Sequence, residues 1–189
     1  MHTGKLELCA SHGICTKEAL QKLADAGVTT YHHNLESSRR FYPNVCTSHT
    51  YDDRVNTIKN AKAVGLNVCS GGIFGLGETI EDRIDMALDL RTLDIHSVPI
   101  NVLTPIPGTP FENNEEINPF EILKTISIYR FILPKSFLRY CGGRIKLGEH
   151  ARTGLRCGIN SALTGNFLTT TGTTIETDKK MIKELGYEI

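Results

Sequence analysis

Hydrophobic and polar positions along the chain alternate between short β-rich runs and amphipathic helical stretches, with a repeat of about 30 residues. The β-rich runs are bounded by glycine, proline or polar turn residues, as is typical of buried strands. They predict five strands, over residues 5–10, 28–36, 66–72, from 97 into a proline-rich loop, and 136–144.

Helices are predicted between and after these strands because apolar residues recur there at helical spacing behind a capping residue. They are expected over residues 16–27, 50–65, 79–93, 118–134, a weaker 149–160, and a terminal 177–186. Their caps are Thr16, Thr50, Thr79, Asn118 and Thr177. Acidic residues three positions after a cap complete capping boxes at Asp53, Asp82 and Glu121.

The alternation of strand and helix predicts an α/β fold with a parallel sheet, either doubly wound or a (β/α) barrel. A barrel requires eight strand-helix units and about 250 residues. Five units are predicted in 189 residues. An open five-stranded sheet could be complete, whereas in a barrel this chain would form the C-terminal portion and leave strand edges unpaired.

Composition excludes several functional classes. The formal net charge is zero and no long basic run occurs, which argues against a nucleic-acid or membrane-surface binder. No stretch resembles a signal peptide or a membrane span, so we expect a cytoplasmic location. The six cysteines contain no CxxC pair and are expected to be reduced.

Polar residues follow the predicted strands at the carboxyl edge, where chemistry gathers in both candidate folds. Each has an ordinary structural interpretation, such as a buried thiol, a turn asparagine or a paired arginine, but together they indicate a polar cavity. Two thiols in one cavity suit iron-sulfur ligation, although an all-cysteine cluster needs four. The residues are Cys9, Asn34, Glu36, Cys69, Asn101 and Arg144.

Two further motifs are less specific. The glycines of "SGGIFGLGE" permit close approach of backbone to a ligand, or simply a tight strand-to-helix turn. His32 and His33 are adjacent in a strand and so project to opposite faces, which leaves at most one of them in the cavity.

Five segments in order, "LELCASHG", "YHHNLESS", "LNVCSGGIFGLGET", "SVPINVLTPIPGTP" and "YCGGR", strongly resemble the C-terminal portion of the biotin synthase family. The resemblance runs through nearly all of residues 1–189 and includes the C-terminal biotin- and thiamin-synthesis-associated region. It implies a radical S-adenosylmethionine enzyme with a (β/α) barrel that inserts sulfur into dethiobiotin.

The resemblance also implies roles for individual residues. Cys9, Cys69 and Arg144 match three of four ligands of a 2Fe-2S cluster, the sulfur source, with Cys69 at the mouth of the cavity. The positions matching S-adenosylmethionine contacts are Asn34, Glu36, Gly71, Gly72 and Ile73. Those matching dethiobiotin contacts are Asn34 and Asn101.

One departure from the family pattern limits the expected activity. The CxxxCxxC motif that holds the 4Fe-4S cluster does not occur in this sequence. The resemblance gives that cluster the task of reducing S-adenosylmethionine, with flavodoxin or ferredoxin as electron donor in a homodimeric enzyme. We therefore expect this chain alone not to make biotin, and 5'-deoxyadenosine formed by it alone would contradict this.

Other functions remain open at this point. Another radical enzyme of the same barrel type, such as a hydrogenase maturase or a methylornithine synthase, is the nearest alternative. A non-catalytic remnant or split-gene subunit, paired through an open sheet edge, is an alternative of a different class.

Overall fold

The computed structural model describes residues 6–166 and 172–188. Strands and helices alternate along this part of the chain. The strands are β1 (Leu8–Ala10), β2 (Val28–His32), β3 (Asn67–Cys69), β4 (Gly72–Phe74), β5 (Ser97–Val102), β6 (Phe137–Tyr140) and β7 (Ser161–Ala162). The helices are α1 (Lys17–Asp25), α2 (Tyr51–Ala63), α3 (Ile80–Thr92), α4 (Pro119–Ile132), α5 (Ala151–Cys157) and α6 (Ile175–Glu184).

The strands form one parallel sheet in the order β1-β2-β3-β5-β6-β7, with β4 also paired to β5. Neighbours in the sheet are thus neighbours in the chain. A doubly wound sheet would reverse its strand order at a switch point, and no reversal occurs among the described strands. The sheet is therefore the C-terminal part of a (β/α) barrel, as the family resemblance implied.

The sheet has two more strands than predicted, and β2 and β6 each end four residues before the predicted strand end. The segment predicted as one strand over 66–72 contains two short strands, β3 and β4, which pair in succession with β5. The added strand β7 lies between α5 and α6 and pairs with β6. The predicted start of the first strand, Lys5, lies outside the described residues.

Local capping signals predicted the helix starts well. Both capping boxes, Thr50 with Asp53 and Thr79 with Asp82, are formed. The box expected at Asn118 is not formed, because its side chain accepts from Phe120 N at 2.9 Å instead. The last helix begins at Ile175, and its cap is Thr174, three residues before the predicted cap Thr177.

The core lies between the sheet and the helices that cover its outer face. Alternate strand residues point into it, including Tyr31 in β2, Ile100 in β5, and Leu138 and Tyr140 in β6, all at most 2% exposed. The residues between them therefore lie on the opposite, inner face of the sheet. Among the described residues, no helix is both long and apolar enough to cross a membrane.

Candidate functional site

The inner face of the sheet carries a thiol, a hydroxyl and a guanidinium in direct contact. Ser97 Oγ, on the first residue of β5, lies 3.4 Å from Cys69 Sγ at the end of β3. Arg139 of β6 donates to Ser97 Oγ at 2.8 Å, and its other terminal nitrogen lies 3.8 Å from Cys69 Sγ. Arg139 is thus positioned by Ser97 against a buried thiol.

Cys9 at β1 belongs to the same group. Burial and the nearby Cys69 thiol raise the pKa of Cys9, while the positive charge of Arg139 lowers it. We call Cys9, Cys69, Ser97 and Arg139 the thiol-arginine cluster. Cys141, which follows β6, lies close to it, and burial raises the pKa of that thiol to about 12. Cys9 and Cys69, the two thiols predicted to share one cavity, therefore lie in the same cluster.

The two histidines of β2 lie on different faces. Burial lowers the pKa of His32, and so does the charge of Arg139, which places His32 beside the thiol-arginine cluster. His33 is 4% exposed, and burial lowers its pKa to about 4. His33 therefore belongs to the core, and only His32 faces the cavity.

A second group of polar residues, Asn34, Gly71, Asn101 and Gly142, is joined by amide hydrogen bonds. Gly71 N donates to Asn34 Oδ1 at 3.1 Å. Asn101 donates to Gly72 O and accepts from Gly142 N, both at 3.1 Å. These bonds fix the two asparagine side chains at the carboxyl ends of β2 and β5. We call this group the amide layer.

The two groups lie at different depths along the strands. Ser97 and Asn101 are four residues apart on one face of β5, a separation of about 13 Å along the strand. The thiol-arginine cluster is therefore near the amino end of β5, and the amide layer is near its carboxyl end. Cys69, expected at the cavity mouth, is instead 4% exposed at the deeper level.

Glu36 lies at the edge of the amide layer in a strained backbone conformation. Its φ is 71°, a left-handed value that non-glycine residues rarely adopt and that is often found at functional sites. Its carboxylate accepts from Asn34 Nδ2 at 3.3 Å and lies 3.5 Å from Arg54 Nη1. Burial raises the pKa of Glu36, and Arg54 opposes that shift.

Only glycine fits at Gly71 and Gly72, because neighbouring residues leave no space for a Cβ atom. A Cβ at Gly71 would lie 2.1 Å from Pro99 O, and one at Gly72 would lie 2.5 Å from Glu36 O and from Met86 Sδ. Such contacts cannot be accommodated without moving backbone. These glycines therefore allow β5 and the turn at Glu36 to pack closely against the backbone of residues 71 and 72. Ile73, in β4, pairs with Asn101.

Arg144 is not brought to the predicted thiols. It begins a 3₁₀ segment after β6, and its guanidinium donates to both carboxylate oxygens of Asp178 at 2.9 Å. It also contacts Thr173. Within the described ranges, no hydrogen bond joins it to Cys9 or Cys69. The structure therefore does not support the pairing of Arg144 with these thiols, because Arg144 Nη2 is paired with a carboxylate of α6.

Arg139 was missed in the sequence although a signal was present. It stands between Leu138 and Tyr140, which are both buried in the core, so strand alternation directs Arg139 to the inner face. Ser97 is marked in the same way by the core residue Val98 beside it. Period-two alternation identifies these two residues, whereas a search restricted to strand ends does not.

Two family models match the chain. A model described as the radical SAM superfamily matches residues 3–90, and the biotin and thiamin synthesis associated domain matches residues 99–188. Each covers slightly less than half of the chain. Together they include every residue of both polar groups except Ser97.

Curated relatives match along the whole chain. A biotin synthase of Fusobacterium nucleatum is 94% identical over 188 residues, which is 100% of this chain and 52% of that protein. A biotin synthase of Campylobacter hominis is 59% identical over 186 residues, 98% of this chain and 57% of the relative. The chain thus spans about half the length of the curated relatives it matches.

Solved structures agree on the fold. A methylornithine synthase superposes with a TM-score of 0.77 at 23% identity, covering 97% of this chain and 58% of that one. A maturase of the [FeFe]-hydrogenase gives 0.79 at 17% identity, with 96% and 44% covered. At such low sequence identities, these similarities show a shared fold and nothing more. By sequence, the resemblance to biotin synthase is confirmed: the chain is similar to biotin synthases along its whole length. A segment that matches the radical SAM superfamily is followed by one that matches the biotin and thiamin synthesis associated domain.

Proposed function

We propose that this chain forms the part of a biotin synthase that holds the sulfur-donating cluster, S-adenosylmethionine and dethiobiotin. The observation that carries the proposal is the contact of Cys69 with Ser97 and Arg139 beneath the amide layer. The 94% identity to a biotin synthase supports it. The reaction is the radical insertion of sulfur into dethiobiotin.

The thiol-arginine cluster suits an iron-sulfur group. Cys9 and Cys69 supply soft thiolates, which such clusters require. We assign to Arg139 the ligand role that the resemblance gave to Arg144, because Arg139 reaches Cys69. Among the described residues, no three histidine, cysteine or acidic side chains are grouped to hold a metal ion. Cys9, Cys69 and Arg139 make three donors, one short of the four that such a cluster takes.

The amide layer suits the organic ligands. Asn34 and Glu36 present an amide and a carboxylate that can bind hydroxyl groups, and Asn101 does the same across the cavity. Arg54 holds Glu36 in place from behind, and it also donates to Asn34 O at 2.9 Å. In this proposal Gly71, Gly72 and Ile73 line the S-adenosylmethionine site, and Asn34 and Asn101 contact dethiobiotin. When bound, the 2Fe-2S cluster supplies the sulfur that enters the product.

Cluster binding is the first test. The chain, reconstituted without oxygen from iron and sulfide with a small thiol as the fourth ligand, should develop the visible absorption of a 2Fe-2S cluster. Cys69→Ser should reduce bound iron to background, because a hydroxyl is a poor replacement for a soft thiolate. Cys157→Ser, at a half-buried thiol on α5, should bind iron like the wild type. Equal iron in both variants would refute the assignment.

Cofactor binding is the second test. Asn34→Ala should weaken S-adenosylmethionine binding about tenfold, the effect of losing one hydrogen bond worth about 1.4 kcal/mol. Isothermal titration calorimetry measures this directly. Asn56→Ala, on the exposed face of α2, is the matched control and should bind normally. Unchanged affinity in Asn34→Ala would remove Asn34 from the site.

The open sheet edges support a second candidate function, that of a non-catalytic or split subunit. Leu8 in the outer strand β1 is 51% exposed, and Leu6 just before it is 93% exposed. An exposed apolar strand edge is suited to pairing with another segment or chain. The calorimetry distinguishes the two candidate functions, because a non-catalytic subunit has no need to bind S-adenosylmethionine.

The first proposal, in its full form, includes four further expectations for the complete enzyme. It contains a 4Fe-4S cluster, receives electrons from flavodoxin or ferredoxin, forms a homodimer and is cytoplasmic. This chain alone is expected to be inactive.

A further inference from the structure

A compact group of nucleophilic side chains lies outside the cavity, in the loop that leads into α2. Cys46 Sγ lies 3.3 Å from Ser48 Oγ and 3.5 Å from His49 Nδ1. Ser48 Oγ and His49 Nδ1 are themselves 3.0 Å apart. Cys46 is half-buried, so a small reagent can reach the sulfur while its neighbours stay in contact with it.

We propose that Cys46, together with Ser48 and His49, is a thiol-disulfide exchange site that takes up small disulfides and holds them as a mixed disulfide. The established resemblance assigns no role to any of these three residues. The site needs neither iron nor S-adenosylmethionine.

The surroundings of Cys46 favour its thiolate. The Ser48 hydroxyl and the backbone N–H groups of Ser48 and His49 are directed at the sulfur, and they lower the pKa of Cys46 to about 7. The Tyr42 hydroxyl contributes in the same direction. A thiol whose pKa is near the ambient pH is the best attacking group in disulfide exchange, since it combines a large thiolate fraction with good nucleophilicity.

The exchange step balances without any further reagent. The Cys46 thiolate attacks one sulfur of the small disulfide, and a new S–S bond forms as the old one breaks. The second sulfur leaves as a thiolate with the bonding electron pair and takes a proton from water. Cys46 is oxidised, the leaving thiol is reduced, and excess small thiol reverses the reaction.

The other cysteines are less suited to this chemistry. Burial raises the pKa of both Cys9 and Cys141, which reduces their thiolate fractions at neutral pH. Cys15 and Cys157 are half-buried like Cys46. These two therefore serve as internal references in the same molecule.

The site is linked to the amide layer by a short path of contacts. Tyr42 OH accepts from Arg54 Nε, and Arg54 in turn pairs with Glu36. Cys46 N donates to Tyr42 O at 3.1 Å, so a group attached to Cys46 would lie beside the start of this path. Any consequence for cofactor binding rests on the proposed function above, whereas the chemical test that follows does not.

The test treats the chain with oxidised glutathione and measures the mixed disulfide at each cysteine by peptide mass spectrometry. At pH 7, Cys46 should react about three- to fourfold faster than a thiol of ordinary pKa, because its larger thiolate fraction outweighs its lower nucleophilicity. Cys15 and Cys157 are the references. The Cys46 rate should level off above about pH 8, where its thiolate fraction saturates.

Variants distinguish a rate increase caused by the contacts of Cys46 from one caused by its exposure alone. Ser48→Ala should move the plateau to higher pH and slow Cys46 at pH 7, because it removes a hydroxyl directed at the sulfur. His96→Gln, at an exposed histidine elsewhere, should leave the rate unchanged. In concentrated urea the six cysteines should react alike. The proposal fails if native Cys46 reacts no faster than Cys15 and Cys157, or if its pH profile is the same in urea.

Discussion

Replacing Glu78 with alanine should lower the free energy of unfolding by about 3–5 kcal/mol, the usual effect of removing one partner of a buried ion pair. The Glu78 side chain is 2% exposed and accepts from Arg83 Nε at 2.7 Å. Arg83 is also buried, and it donates to Thr125 Oγ1 at 3.3 Å. The variant would leave the Arg83 charge in the core without its counter-charge.

Glu78 also stabilises the backbone that follows β4. Its carboxylate accepts from Gly75 N at 2.9 Å and from Leu76 N at 2.7 Å. Both donors would lose their partner in the alanine variant. These bonds hold the turn that directly follows β4.

Urea unfolding followed by circular dichroism measures the effect. Glu81→Ala, an exposed acidic residue in the first turn of α3, is the matched control and should change stability by less than about 0.5 kcal/mol. Glu78→Gln keeps one oxygen acceptor and should lie between the two, which gives a measurable variant if Glu78→Ala does not fold. Equal unfolding curves for Glu78→Ala and Glu81→Ala would contradict the prediction.

The parts of the fold that depend on local contacts could be predicted from the sequence. The capping boxes of Thr50 and Thr79 each involve residues within one helical turn, so sequence spacing determines them. The parallel order of strands follows from the alternation of strands and helices. Choosing the barrel over the doubly wound sheet required the strand order itself, because both folds share the same alternation along the chain.

The candidate site could be predicted only in part. Asn34 and Asn101 were predicted together because carboxyl ends of parallel strands meet at one edge of the sheet. The break between β3 and β4 was missed because the contacts that require Gly71 and Gly72 come from Pro99, Glu36 and Met86, which are distant in sequence. The partner of Arg144 could not be anticipated either, since Asp178 lies 34 residues further along the chain.

The two arginines of "SFLRYCGGR" should behave in opposite ways. Arg144→Ala should lower the free energy of unfolding by about 3–5 kcal/mol, because it leaves Asp178, 5% exposed, as an uncompensated buried charge. Arg139→Ala should cost less than about 1 kcal/mol, since Arg139 is half-buried and its main partner is a neutral hydroxyl. Urea unfolding of the two variants measures this difference.

The same pair of variants tests which arginine serves the cluster. After anaerobic reconstitution, Arg139→Ala should show an altered 2Fe-2S absorption spectrum or lose iron, because it removes the guanidinium beside Cys69. Arg144→Lys preserves the charge opposite Asp178 and should keep the wild-type spectrum even if Arg144→Ala does not fold. A normal spectrum in Arg139→Ala together with a changed one in Arg144→Lys would return the ligand role to Arg144. Stability and spectrum thus distinguish an arginine that holds α6 against the barrel from one that faces the thiols.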